Sequence, residues 1–314
     1  MKQSMLENAK TYIKHKRNLG YVFGTDAWML RSFGQYADTI ARGRPLTVKL
    51  ALRWATLPNG KKCYHAKRLD ALRPFAKFLI VSDSRTELIP TRILGPSFSR
   101  TTPYIFSKEE ILQLMTVKAY TRTILINNFT FTTVIGLLAS TGLRVGEALS
   151  LHRKNIDWEQ KTIIVKWSKR LPMRLVPLDQ TVIDALHQYD QCRSCLFPNT
   201  TEETFFLSPE GKANPYQNFQ YAWQCLIGKT GIGKGRKHPP RMYDLRHTFA
   251  CNYLLQSYKN NVNIDAATHT LSVYLGHATV RETYWYLSDV PELMEICSGR
   301  FENFVIARRK KGDL

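Results

Sequence analysis

Acidic side chains are scarce in this chain: 25 Asp and Glu stand against 45 Lys and Arg in 314 residues, leaving a formal charge of +20. The carboxylates present do not gather. Beyond isolated pairs such as Glu109-Glu110 and Glu202-Glu203, no cluster could hold the two metal ions that many nucleases use. Cysteine is equally thin. Cys63, Cys192, Cys195, Cys225, Cys251 and Cys297 are scattered, which excludes a disulfide scaffold and points to a reducing compartment. Cys192 and Cys195 form a C-x-x-C, yet no second Cys or His pair follows at zinc-finger spacing, so they read as two thiols near a helix end. Long apolar runs are missing too. The most apolar stretch, Thr123 to Ser140, is interrupted by Asn127 and Asn128 and reads as a buried helix rather than a membrane span. The first twenty residues carry charges throughout and are not read as a signal peptide. The expected location is cytoplasmic, with the nucleoid and away from membranes. The glycines 228, 231, 233 and 235 lack the spacing and the Lys-Ser/Thr ending of a phosphate-binding P-loop, and loop flexibility is the expected role.

The cationic excess implies a polyanionic partner. It is unevenly placed: residues 1–105 hold 19 basic and 6 acidic side chains, a net of +13, against 26 and 19, a net of +7, in residues 106–314. A ribosomal or other RNA-binding protein could share this balance, so charge alone names no activity.

Residues 1–85 read as a compact set of short helices. After Thr25, taken as an N-cap, Ala27, Leu30, Phe33, Ala37 and Ile40 recur at steps of three and four. Thr47 caps a second run with Val48, Ala51, Trp54 and Ala55 inside, and Leu69, Leu72, Phe75, Phe78 and Leu79 form a third. Lys61, Lys62, Lys67, Arg68 and Arg73 punctuate this region as candidate DNA contacts. Residues 86–105, with Pro90, Gly95, Pro96 and Pro103 among Ser, Thr and Arg, have linker composition. Ser107 with Glu110 supplies a capping box that opens a second domain, residues 106–314. Thr162–Ser168 and Arg174–Pro177 read as a β-hairpin around a basic turn, so the class is mainly α with a small β-sheet.

Four short patterns carry the chemistry. Thr141-Gly-Leu-Arg144-Val-Gly-Glu147 places an arginine just after a helix-ending glycine. The hairpin offers Lys166 and Lys169 near its tip, before Arg174-Leu-Val-Pro177. Tyr243-Asp-Leu-Arg246-His247-Thr-Phe-Ala250 is the third, and Leu275-Gly-His277 is followed nine residues on by Tyr286. Each alone has an ordinary structural reading: a surface ion pair, a solvated turn, a helix-terminal histidine, a core aromatic.

Taken in order, they resemble the signature of the tyrosine recombinases (phage integrases, including the Xer enzymes): Arg, Lys, His-x-x-Arg, Leu-Gly-His and a tyrosine nine further on. The match covers most of residues 105–295, and the helical, basic first region resembles that family's core-binding domain. The resemblance implies a site-specific recombinase in which Tyr286 joins DNA as a 3′-phosphotyrosine. It implies that Arg144, Arg246 and His277 hold the scissile phosphate, that Lys169 (with Lys166 as runner-up) protonates the departing 5′ oxygen, and that neither ATP, metal nor other cofactor is needed. Glu147 is read as orienting the arginines. By the same resemblance the partners are double-stranded recombination sites, the assembly is a homo-tetramer on DNA that passes through a Holliday junction, and accessory recombinases or DNA-bending proteins take part. Residues after Val290, including Leu293, Met294, Ile296, Phe301, Phe304 and Val305, could dock on a neighbouring protomer or close their own domain. One position departs from the family pattern: Tyr243 stands where the first His of His-x-x-Arg is usual. His247, on a different helical face from Arg246, is read as structural. Two neighbouring readings stay open, a type IB topoisomerase and a catalytically silent DNA-binding protein of the same fold.

Overall fold

The computed structural model describes residues 3–98, 101–119, 125–165 and 173–288. The chain divides into two compact units, Met1–Thr101 and Thr102–Leu314.

The first unit is helical. Helix α1 (Met5–Asn18) begins with a capping box between Ser4 and Glu7, and two further orphan amides at its start are taken by Asp38: Met5 N and Leu6 N donate to its carboxylate at 2.8 and 3.0 Å. Asp38 belongs to α2 (Thr25–Ile40), which crosses close to α1 because Gly34 has no side chain; a Cβ there would lie 2.7 Å from the Leu6 backbone. Helix α2 starts one residue before the position expected to be its first: Gly24 is the N-cap and makes no side-chain cap, while Thr25 lies inside the first turn. Helix α3 (Val48–Thr56) is capped as expected, Leu50 N donating to Thr47 Oγ1 at 3.2 Å. Helix α4 (Lys62–Leu79) completes the core, where Leu30, Phe33, Trp54, Leu69, Leu72 and Phe75 interlock.

Of the five basic residues read as DNA contacts, Lys61, Lys62 and Lys67 are exposed. Arg68 is corrected to a core residue. It is 5% exposed, its guanidinium lies 3.8 Å from the Trp54 ring centroid, and Nη2 donates to Trp54 O at 2.9 Å. On a helix a residue next to an exposed lysine faces about 100° away from it, and here that direction is the core. Arg73 is also engaged: it pairs with Asp70 and donates to Pro90 O at 2.9 and 3.1 Å. Pro90 lies in the segment whose composition reads as linker. Its first part is pinned to the first unit, with Val48 N donating to Glu87 at 2.7 Å and Ile89 buried in the core.

The second unit is mainly helical with a small antiparallel sheet. Helix α5 (Lys108–Thr116) starts at the Ser107–Glu110 capping box read from the sequence. Helix α6 (Leu125–Thr141) is the buried apolar helix, with Val134, Ile135, Leu137 and Leu138 in the core. The short α7 (Val145–Leu149) leads to strands β1 (Ile156–Asp157), β2 (Thr162–Val165) and β3 (Arg174–Pro177), in the order β1-β2-β3, with Ile163 opposite both Ile156 and Val176. The hairpin is as expected and β1 is an addition. Lys166 and Lys169 lie outside the described residues. Helices α8 (Gln180–Leu196), α9 (Tyr216–Thr230), α10 (Tyr243–Lys259), α11 (Ile264–Leu275) and α12 (Arg281–Ser288) follow. A satellite core of Ala250, Cys251, Leu254, Leu271, Leu275 and Tyr286 joins the last three helices. No described helix is long and apolar enough to cross a membrane. The apolar segment after Val290 lies outside the described residues.

The buried position of Arg68 makes a testable contrast with its neighbour. Arg68→Ala should destabilise the first unit by on the order of 3 kcal/mol, through the lost packing on Trp54 and the unpaired carbonyl. Lys67→Ala should leave the urea midpoint unchanged; equal losses in the two variants would contradict the placement.

Candidate active site

Three backbone corners build this site. The first follows α6, where Gly142 turns the chain with φ +62° and leaves its carbonyl facing inward; a Cβ here would strike the Phe249 ring. The second is the N-cap of α7, which is Arg144 itself. The third is the C-terminus of α11, closed by Gly276 at φ +65°. The carbonyls at that last end, Leu275 and Gly276, carry the negative end of the helix dipole. Both site arginines are hung on them.

Arg246 stands in the first turn of α10 and is 1% exposed. Nη1 donates to Gly142 O at 2.7 Å, Nη2 to Leu275 O at 2.8 Å and to His277 Nε2 at 3.0 Å. Its Nε has no partner among the described residues. Arg144 donates through Nη2 to Gly276 O at 3.2 Å and through Nη1 to Glu147 Oε1 at 2.9 Å.

Glu147 is the anion that makes this cationic cage tolerable. Its carboxylate also receives both ends of the Arg174 guanidinium, at 3.0 and 2.7 Å, and the Arg144 backbone N–H at 2.9 Å. Burial works to raise its pKa, but the hydrogen bonds from Arg174 and the Arg144 amide, with both positive charges, hold it below the usual carboxylate value. Glu147 thus holds Arg144, one of the two arginines it was expected to orient, and Arg174, whereas Arg246 is held by Gly142 O, Leu275 O and His277. Arg174 was quoted only as a spacing marker, and its part was missed. The signal was available: Arg174 and Val176 share the inward face of β3, and an inward charge on a strand demands a partner.

His277 follows the α11 cap. Its Nδ1 lies 2.7 Å from Thr283 Oγ1, and its pKa is driven down to about 3, by burial first and then by Arg246, Arg144 and Arg174. The Tyr286 ring lies nearly parallel to the imidazole, centroids 5.9 Å apart, and is 3% exposed. Burial pushes its phenol up to about 12 despite the opposing charge of Arg246. His247 lies edge-on to Tyr286 at 5.1 Å and to Tyr243 at 5.0 Å. It is buried, its Nδ1 has no partner among the described residues, and burial lowers its pKa to about 4. Tyr243 sits 41% exposed at the rim. Arg144, Arg246, His277 and Tyr286 are therefore brought together, with Tyr243 beside them through His247. Thr283, fully buried, is the other residue that the sequence reading missed; it shares a face of α12 with Tyr286, three positions on.

Two guanidinium groups, an imidazole and a phenol around one pocket suit a tetrahedral oxyanion attacked by a phenol oxygen. Among the described residues, no three His, Cys, Asp or Glu side chains stand together as metal ligands.

The chain matches the phage integrase family over residues 105–292. It is 32% identical over 295 residues to y4rE of Sinorhizobium fredii, named an integrase/recombinase, with 94% of each chain covered. It is 27% identical over 225 residues to the tyrosine recombinase XerD of Chlorobaculum tepidum, covering 70% of this chain and 69% of that one. Its fold is that of the Tn1549 transposon integrase, solved in complex with transposon right-end DNA: TM-score 0.68 at 15% identity, covering 95% and 99% of the two chains.

The buried histidines set an acid limit. Folded pKa values of about 4 and about 3 for His247 and His277 lie below the ordinary 6.5, so their contribution is complete above pH 6.5 and is lost as the pH falls from there. The Glu147 contribution is lost next, below its ordinary 4.5. Urea midpoints should therefore begin to drop below pH 6.5, and His277→Gln should flatten that slope; a midpoint constant from pH 7 to 4.5 would contradict it. Gly276→Ala should cost about 1–2 kcal/mol and displace Arg174, because a Cβ at this left-handed position meets its guanidinium at 3.0 Å.

Proposed function

The chain belongs to the phage integrase family, the tyrosine recombinases, and we propose that it exchanges DNA strands at specific sites with Tyr286 as the nucleophile. The observation that carries this reading is the convergence of Arg144, Arg246, His277 and Tyr286 around the end of α11 from three separate stretches of sequence.

In the proposed reaction the Tyr286 phenol oxygen attacks the scissile phosphorus. A P–O bond to tyrosine forms, the bond to the 5′ oxygen breaks, and the 3′ end is held as a phosphotyrosine while the 5′ oxygen leaves as a hydroxyl. Lys169, by its place before Arg174, supplies the proton for that oxygen. The developing charge on the non-bridging oxygens falls to Arg144 and Arg246, with His277 beside them. Attack by a 5′ hydroxyl from another duplex reverses the steps and completes exchange. The phosphodiester energy stays in the covalent intermediate, so ligation needs no ATP.

The DNA-free arrangement is not ready to react. A phenol of ordinary pKa about 10 is ionised about one part in a thousand at neutral pH, and burial lowers that fraction here. DNA binding must uncover Tyr286, which relieves the burial that raises its pKa, and must place a phosphate against the arginines. Tyr243 at the rim leaves the usual histidine position without an imidazole, and the His247 ring packs against it.

The wider assembly follows the same reading: a homo-tetramer bringing two duplex sites together through a Holliday junction, with accessory recombinases or DNA-bending proteins setting direction. Lys61, Lys62 and Lys67 would touch phosphates from the first unit, and affinity would fall with a log–log salt slope of about −0.9 per phosphate neutralised. Arg68 and Arg73 are withdrawn from that set by their internal bonds.

The direct test is covalent trapping on nicked duplexes taken from the DNA that flanks this gene. Wild type and Tyr284→Phe should form a protein–DNA adduct and Tyr286→Phe none. Arg246→Ala should slow adduct formation about 100- to 1,000-fold. An adduct that survives Tyr286→Phe removes the assigned nucleophile, and relaxation of supercoils without strand exchange would instead indicate a topoisomerase.

A further inference from the structure

The hydrogen bonds around His277 fix where its proton sits. A guanidinium can only donate, so Arg246 Nη2, 3.0 Å from His277 Nε2, requires a lone pair there. The ring is neutral under its burial and the three arginines around it, so its one hydrogen is on Nδ1. Thr283 Oγ1, 2.7 Å away, is then the acceptor. The consequence bears on the reaction. In this state the Nε2 lone pair of His277 is taken by Arg246, whereas a phosphate oxygen needs a donor. A second proton is opposed by Arg246, Arg144 and Arg174. The remaining route is for the hydrogen to stand on Nε2 instead of Nδ1.

We propose that Thr283 is a positioning residue that lets His277 exchange tautomers when a phosphate enters. In the free protein the Thr283 hydroxyl accepts from Nδ1–H while Arg246 holds Nε2. When a phosphate oxygen takes over Arg246 Nη2, the hydroxyl turns and donates to Nδ1, and Nε2–H points at the phosphate. One proton leaves Nδ1 and one arrives at Nε2, carried by water, so the ring stays neutral throughout. A hydroxyl suits this post because it donates and accepts on one rotor. A carboxylate would hold Nδ1–H permanently, and an aliphatic side chain would leave a buried nitrogen without a partner. Thr283 and Tyr286 share a face of the same short helix, so the state of the imidazole is tied to the seating of the nucleophile. This inference rests on the phosphate-binding reading of the site.

The test uses the full chain labelled with 15N-histidine, His277→Gln to assign the signals, and orthovanadate as the phosphoryl probe. In the free protein the lone-pair-type nitrogen signal of His277 should belong to Nε2, and saturating vanadate should transfer it to Nδ1. Thr283→Ser should preserve both states. Thr283→Val should abolish the exchange and weaken vanadate binding about tenfold, with the protein's fold verified by an unchanged circular dichroism spectrum. A hydrogen on Nε2 in the free protein, both nitrogens protonated with vanadate bound, or a normal exchange in Thr283→Val would each overturn the proposal. Vanadate affinity unaffected by Arg246→Ala would instead sink the phosphate-site reading, whatever tautomer the free protein shows.

Discussion

Arg246 carries a permanent charge at a position closed to solvent, and two backbone carbonyls and one imidazole are arranged to hold it there. Gly142 O and Leu275 O take its two terminal nitrogens, and the imidazole that follows Gly276 takes a third hydrogen. A buried guanidinium without such partners would cost several kcal/mol, and continuum reasoning makes the loss of any one of them expensive. The left-handed glycines 142 and 276 are the joints that turn those carbonyls inward. Most of what is particular about this unit's backbone follows from that one side chain.

The charge balance of the pocket is the second constraint. Arg144, Arg174 and Arg246 crowd a small volume, and the Glu147 carboxylate is bonded to two of them. Its place at the third residue of α7 lets it close the Arg144 N-cap and neutralise Arg174 with the same two oxygens. The end of α11 adds a further half-charge of negative dipole without a titratable group. The result is a cage with more positive than negative side chains whose charges are nonetheless held in bonded pairs. Tyr286 and His277 lie inside the same cage, which is why both have pKa values far from ordinary, in directions that keep each uncharged.

Much of this was legible in the residues. The spaced patterns at Arg144, Arg246, His277 and Tyr286, the Ser107–Glu110 capping box and the hairpin strands are local signals, and local signals survive into the structure. What was not legible depends on long-range geometry. Arg68 looked like its neighbour Lys67 because periodicity does not announce which face meets Trp54. The Pro-rich composition after residue 85 hid the bonds that tie Glu87 and Pro90 to the first unit. Thr283 gains its meaning only from His277, a partner that its own place in the sequence does not announce. Tyr243 remains the departure from the family pattern that the sequence reading named, and its ring packs edge-on against His247.

The central claim is that fixed positive side chains neutralise the charge that builds on a DNA phosphate. Replacing the scissile phosphate by an uncharged methylphosphonate tests it most directly, with single-turnover cleavage measured for wild type, Arg144→Ala and Arg246→Ala. If the arginines act by neutralising charge, the methylphosphonate substrate restores cleavage to the two arginine variants while Tyr286→Phe stays inert. Variants as impaired on the neutral substrate as on the charged one would contradict the account.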